Sequence, residues 1–129
     1  MERPVAHAGV VFVVAYAVLE DSTSPGQDFY DNLSVGDQAK MNTLFTYLGD
    51  HGKISNRHKF KKVKDDLWEF KSHQIRMLCT FSPKRVVIIS HGFRKKSDKI
   101  PPAEIERAKR ILAEDAARDQ RCSVRGAHQ

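Results

Sequence analysis

Two runs concentrate the side chains that could do chemistry: KISNRHKFKKVK over residues 53–64 and HQIRMLCTFSPKRVVIISHGFRKKSDK over residues 73–99. Between residues 53 and 99 stand fourteen Lys or Arg against four Asp or Glu, a balance of +10, whereas the rest of the chain carries −4. The positive charge is therefore local. A field of that kind attracts a polyanion, and release of counterions from phosphates makes the binding favourable and salt-sensitive. Cations set around a sheet hold phosphates, and they stabilise charge on a phosphorus under attack. RNA brings its own nucleophile in the 2′-hydroxyl, so arginine, lysine and one acid-base group such as an imidazole would suffice. Other active-site types lack their residues. There is no GxxxxGK[ST] phosphate loop and no GxSxG nucleophile turn, and the histidines at 7, 51, 58, 73, 91 and 128 form no HExxH or Cys/His ligand spacing. We expect no metal and no small-molecule cofactor.

Length and composition bound the architecture. At 129 residues and 40% hydrophobic content the chain fits one domain, expected over residues 1–118, with residues 119–129 as a frayed, disordered tail poor in apolar side chains. The longest apolar run, residues 8–19, is too short for a membrane helix, and it meets Glu20 and Asp21 without a small-residue cleavage site. Cys79 and Cys122 have no CxxC spacing and suggest no disulfide framework. A cytoplasmic protein with no membrane partner is the expectation.

The elements that must position the basic groups follow from periodicity and turn chemistry. Residues 10–19, rich in Val, predict a buried strand. Ser24, Pro25 and Gln27 predict the start of a short helix through Leu33. Ser34 with Asp37 repeats the capping pattern ahead of Met41, Leu44, Phe45 and Leu48, an apolar stripe whose helix should close at Gly49 or Gly52. Three strands, residues 67–71, 74–82 and 85–92, should form a meander. In the middle one Ile75, Met77, Cys79 and Phe81 alternate with Arg76, Leu78 and Thr80. Arg76 then points away from the first set, outside the core, so that its replacement should leave the fold intact. VVII at 86–89 lacks alternation, as a strand covered on both faces does. Pro101 and Pro102 open a last helix with Ile105, Ala108, Leu112 and Ala116 on one face and i,i+4 pairs Glu106–Arg110 and Glu114–Arg118.

In this order of elements, DDLWEFK at 65–71, IRMLCTF at 75–81 and HGFRKKSDKIPPAEIERAKR at 91–110 resemble the RelE/ParE superfamily of toxins, close to its HigB-like, phage-derived branch. The resemblance covers roughly residues 10–112, and its most specific element is the third. It implies an α+β fold, a small twisted and mostly antiparallel sheet in β-α-α-β-β-β-α order with two N-terminal helices packed on it. It implies the toxin of a type II toxin-antitoxin pair, an endoribonuclease that cleaves messenger RNA on the ribosome and is held by a cognate antitoxin, expected to be of helix-turn-helix type. By position, Arg76 matches the strand arginine placed at the scissile phosphate. Lys95 and Lys96 match paired lysines, with Arg94 and Lys99 beside them, and Lys59, Lys61, Lys62 and Lys64 match a basic approach. His91 is the candidate for proton transfer. On these grounds Arg76, His91 and Lys95 are the expected catalytic residues, and Lys59, Lys61, Lys62, Lys64, Arg94, Lys96 and Lys99 the expected RNA-binding ones.

Each assignment has a plainer alternative. Arg76 could be a solvated strand residue or an ion-pair partner of Glu69, the loop lysines could only solubilise, and His91 could be structural. Trp68 reads as core, whereas Phe93 could stack on a base. One departure bears on mechanism: no tyrosine follows Tyr47, so the C-terminal tyrosine some of these nucleases use is missing. A non-catalytic binder, either a ParE-like topoisomerase inhibitor or a basic phage nucleic-acid-binding protein, is therefore the alternative function.

Overall fold

The computed structural model describes residues 2–127. Six strands form one sheet in the order β1-β2-β6-β5-β4-β3: β1 (Val5–Ala8), β2 (Val13–Tyr16), β3 (Phe60–Lys64), β4 (Leu67–Ser72), β5 (Ile75–Ser82) and β6 (Val86–Arg94). All neighbours pair antiparallel except β2 and β6, which run parallel because helices α1 (Pro25–Asp31) and α2 (Val35–His51) and the β3–β5 meander lie between them in the chain. This is the α+β, RelE-like fold that the resemblance implies, with strands added at each end. Among the described residues no helix is long and apolar enough to cross a membrane.

Three boundaries differ from expectation. The Val-rich run is a hairpin, not one strand: Gly9 N–H donates to Phe12 O, and the N–H groups of Val11 and Phe12 bond Gly49 O, so the chain turns against α2 between β1 and β2. The basic segment holds strand β3, which periodicity hides because lysines occupy it. Helix α3 (Pro102–Ala127) continues well past Asp119, where we expected frayed chain, and Glu20 and Arg121 pair to tie it to the body of the protein. Residues 128 and 129 of the expected tail lie outside the described residues.

Capping chemistry explains the start and the end of α2, but not the start of α1. Ser34 Oγ accepts from Asp37 N–H at 3.1 Å as expected, and α2 closes at Gly52, whose φ of +79° is the left-handed conformation glycine tolerates. Ser24 precedes α1, but its hydroxyl donates to Ala17 O at 2.9 Å and caps nothing.

The sheet is covered on both faces. On one face α2 buries Met41, Leu44, Phe45 and Leu48 against Tyr16, Phe60, Phe70, Met77 and Ile89, with Trp68 packed beside them and stacked on Phe60. On the other, α3 packs Ala108 and Ile111 over Leu67, Leu78, Phe93 and Ile88. The buried stripe of α3 then continues through Asp115 and Arg118, where Leu112 and Ala116 were expected, since those two are half-buried and exposed. Arg118 pairs with Asp115 at 3.6 Å and donates to Val18 O at 3.2 Å.

Candidate nucleic-acid interface

Strand register alone assembles a polar patch on the α3 face. Lys61 on β3 stands opposite Glu69 on β4, Glu69 opposite Leu78 on β5, and Leu78 opposite His91 on β6. The next row holds Lys71, Arg76 and Phe93. Arg76 and Glu69 are diagonal neighbours on one face, close enough for long side chains to meet.

Alternation places Arg76 opposite Ile75, Met77 and Cys79, but the side chain is not solvated. It is fully buried, as is Glu69. The reason is that α3 and the segment leading into it cover this face too. Arg76 Nη1 donates to His73 O at 2.6 Å and to Ile75 O at 3.2 Å, and Nη2 donates to Ser97 O at 3.3 Å. The ion pair with Glu69 is present, with Nε 3.8 Å from Oε2, and Lys61 Nζ lies 3.6 Å from the other carboxylate oxygen. These separations exceed hydrogen-bond length. Both Glu69 oxygens and Arg76 Nε are left buried without a hydrogen bond. Burial pushes the Glu69 carboxyl above its ordinary range, opposed by Lys61 and Arg76.

Buried Asp115, farther along the same face, is satisfied by contrast: it takes three bonds from the Arg3 guanidinium and one from Val18 N–H. Asp115 is a structural carboxylate, and Glu69 is held by charge alone.

Over this patch the β6–α3 segment brings an anion of its own. Asp98 bonds the Lys71 ammonium, and its carboxyl lies below the usual range because of that bond, with Lys61 and Arg76 contributing. Of the cations beside it, Arg94, Lys96 and Lys99 are exposed, and Lys95 is half-buried with its N–H bonded to Gln74 O at 2.7 Å.

His91 is 1% exposed, with Nε2 3.2 Å from Glu104 Oε1 and Nδ1 3.1 Å from Ser90 Oγ. The Ser90 hydroxyl donates to Leu78 O at 3.2 Å, so its oxygen is placed to accept from the ring at Nδ1, while the Glu104 carboxylate faces Nε2. Burial, then Arg107, lower its pKa from 6.5, against the opposing pull of Glu104. A bulge between β5 and β6 at Leu78 and Cys79 turns His91 and Phe93 toward α3 and Gly92 toward α1. A Cβ on Gly92 would stand 2.2 Å from the Phe29 ring, which explains a small residue between the two. Phe93 packs with Leu67, Leu78 and Ile100, so it is core and not an exposed platform.

The lysines expected to act together divide. Lys61 joins Glu69; Lys62 stands opposite Trp68 on the other face; Lys64 follows a bulge and is exposed; Lys59 lines a cavity beside α2. Glu69, anticipated only as a partner of Arg76, and Lys71 were legible as Leu67, Glu69, Lys71 alternation. Asp98 and Glu104 left no such signal.

The decisive span is the stretch from the meander through the segment over Arg76 into α3, and a family model described as phage derived protein Gp49-like (DUF891) matches residues 28–113 across it. The chain belongs to the Gp49-like family. That family is RelE-like and associated with toxin-like function, and the match takes in Glu69, Arg76, His91 and Asp98. No curated protein matches the chain.

Proposed function

We propose that this Gp49-like protein is the toxin of a type II pair of the HigB-like kind, a metal-independent endoribonuclease that cuts messenger RNA on the ribosome. The observation that carries the reading is Asp98: an anion of the chain itself lies among Lys71, Lys61 and Arg76, where a phosphodiester would find the same charges. RNA entering there displaces the 97–98 segment and takes over its contacts. The 2′-oxygen attacks phosphorus, its proton passing to a base of the site, and the leaving 5′-oxygen is protonated as the P–O bond breaks. A 2′,3′-cyclic phosphate and a 5′-hydroxyl result. Arg76 and a lysine, Lys95 included, stabilise the extra charge on phosphorus, and His91 handles a proton in its neutral form. Arg94, Lys96 and Lys99 lie along the strand's approach. A free enzyme of this kind harms its host, which calls for an antitoxin covering this face; a helix-turn-helix partner in the cytoplasm fits.

Full burial of Arg76 and His91, with no tyrosine after Tyr47, favours the second reading, a non-catalytic binder that blocks a topoisomerase or only coats nucleic acid. Messenger cleavage in a translating extract, with and without EDTA, separates them. Cuts that persist in chelator and end in cyclic phosphate support the nuclease. Intact message with gyrase blocked supports the binder.

A further inference from the structure

A second cationic site lies around the β4–β5 turn from Arg76. A cavity of about 400 Å³ opens between α2 and the β3–β4 pair, lined by Lys40, Thr43, His58, Lys59, Lys71 and His73 together with Leu44 and Ser72. No carboxylate lines it. Lys40 Nζ lies 3.1 Å from His73 Nε2, an ammonium donating to a neutral ring, which leaves its other hydrogens uncommitted. Three lysines elsewhere pair with a carboxylate, Lys61 with Glu69, Lys71 with Asp98 and Lys109 with Asp65. Among the described residues Lys40 and Lys59 have no such carboxylate.

We infer that this cavity is a phosphate subsite for single-stranded RNA, holding a backbone phosphodiester neighbouring the one at Arg76. Two facts join the sites. His73 holds φ at +55°, a left-handed conformation uncommon for a residue with a Cβ, and this turns its ring toward Lys40 while its carbonyl accepts from Arg76 Nη1. Lys71 lines the cavity while its ammonium reaches the α3 face. A strand leaving Arg76 around this turn therefore meets positive charge without a break. Lys40 and Thr43 come from a helix turn in which nothing but spatial neighbourhood marks them, and the volume suits one nucleotide's phosphate and sugar, not a duplex. The assignment of the anion to RNA rests on the function proposed above; the presence of a phosphate site does not.

The test follows the ring carbon and proton resonances of the six histidines in the purified full chain while inorganic phosphate replaces chloride at constant pH and ionic strength. Saturable shifts of His58 and His73, with His91 still, are expected. Lys40→Gln, at an exposed position that leaves the core alone, should weaken the binding about tenfold, the scale of one hydrogen bond to a charged group. A 2′-O-methyl octauridylate, which cannot supply the nucleophile, should move the same two rings and displace phosphate. Unmoved rings, or equal affinity in Lys40→Gln, overturn the site. Phosphate binding that the octanucleotide does not compete overturns its assignment to RNA. Ring shifts together with intact messenger in the translating extract would instead remove the nuclease reading and leave the site standing.

Discussion

Arg76→Ala is the substitution that most directly tests how the α3 face is held. The change removes the guanidinium 3.8 Å from Glu69 Oε2 and its bonds to three carbonyls, and leaves a fully buried carboxylate facing only Lys61 at 3.6 Å, whose side chain is itself 27% exposed. Removing one member of a buried pair costs about 3–5 kcal/mol, because the other is left charged and dry. Against a domain stability of roughly 5–15 kcal/mol that is a large share. At roughly 4 °C per kcal/mol for this size, the melting temperature should drop by about 12–20 °C. The loss should depend on pH. Glu69 already has a raised pKa in the folded protein, so its contribution is fullest below the ordinary carboxylate range and declines as pH rises through the raised value. Without Arg76 a cause of lowering is gone, the folded value rises further, and the decline extends toward neutrality. Thermal and urea unfolding at pH 4.5, 6.0 and 7.5 should thus show a small penalty in acid and the full one at 7.5. Glu69→Leu with Arg76→Met should recover most of it, and the double-mutant cycle should give a strong coupling. A variant within about 1 kcal/mol of wild type at pH 7.5, or a penalty flat in pH, would refute this account of the pair.

Three further outcomes follow from named contacts. Gly92→Ala, whose Cβ would lie 2.2 Å from Phe29, should cost about 1–3 kcal/mol in urea unfolding and be partly relieved by Phe29→Leu, whereas equal stability would mean α1 shifts freely. His91 has a lowered pKa, so stability should fall as pH drops below 6.5 through the depressed value; His91→Gln should flatten that part of the melting profile, and an unchanged slope would place the acid sensitivity elsewhere. Asp98→Asn frees Lys71, so affinity for a non-cleavable single-stranded RNA, read by fluorescence anisotropy, should rise and its log–log salt slope steepen by about 0.7; equal affinity would show that Asp98 does not hold an anion's place.

What sequence could reveal was local. Ser34, Gly52 and Pro102 mark helix ends through backbone chemistry that needs no tertiary context, and the three hairpin-linked strands are bounded by turns with Asp65, His73, Lys84 and Arg85 at positive φ. VVII was legible as covered on both faces, with Val87 and Ile89 toward α2 and Ile88 toward α3. What remained hidden depended on which element covers which face. Alternation assigns Arg76 to a side, but a side is solvent or interior according to whether a distant helix lands on it. The same holds for β3, whose Phe60 and Val63 reach opposite cores while its lysines disguise the strand. The cavity beside α2 was harder still, since Lys40, Lys59 and His73 are neighbours only in three dimensions.

The two faces divide the work of the fold. On the α1 and α2 face a single apolar cluster runs across the sheet, with Tyr16, Phe45, Phe70 and Phe60 each in ring contact with the next, the packing that dominates stability. The α3 face has two smaller apolar clusters, and between them and the sheet edge sit Glu69, Arg76 and Lys61 without the hydrogen bonds that would make burial cheap. Asp115 shows that this same face can satisfy a buried carboxylate when an arginine is brought to it with full geometry. Glu69 is therefore held by charge alone, while the segment that joins β6 to α3 sets the Ser97 carbonyl on Arg76 and the Asp98 carboxylate on Lys71. For the phosphate ligand proposed above, the segment's contacts to displace are the Ser97 carbonyl on Arg76 and the Lys71–Asp98 pair, the latter exposed at Asp98 and worth little in water, while the His73 and Ile75 carbonyls stay on the arginine. On the proposed reading, the low cost of displacing that segment is what would let a buried arginine meet a ligand that arrives from outside.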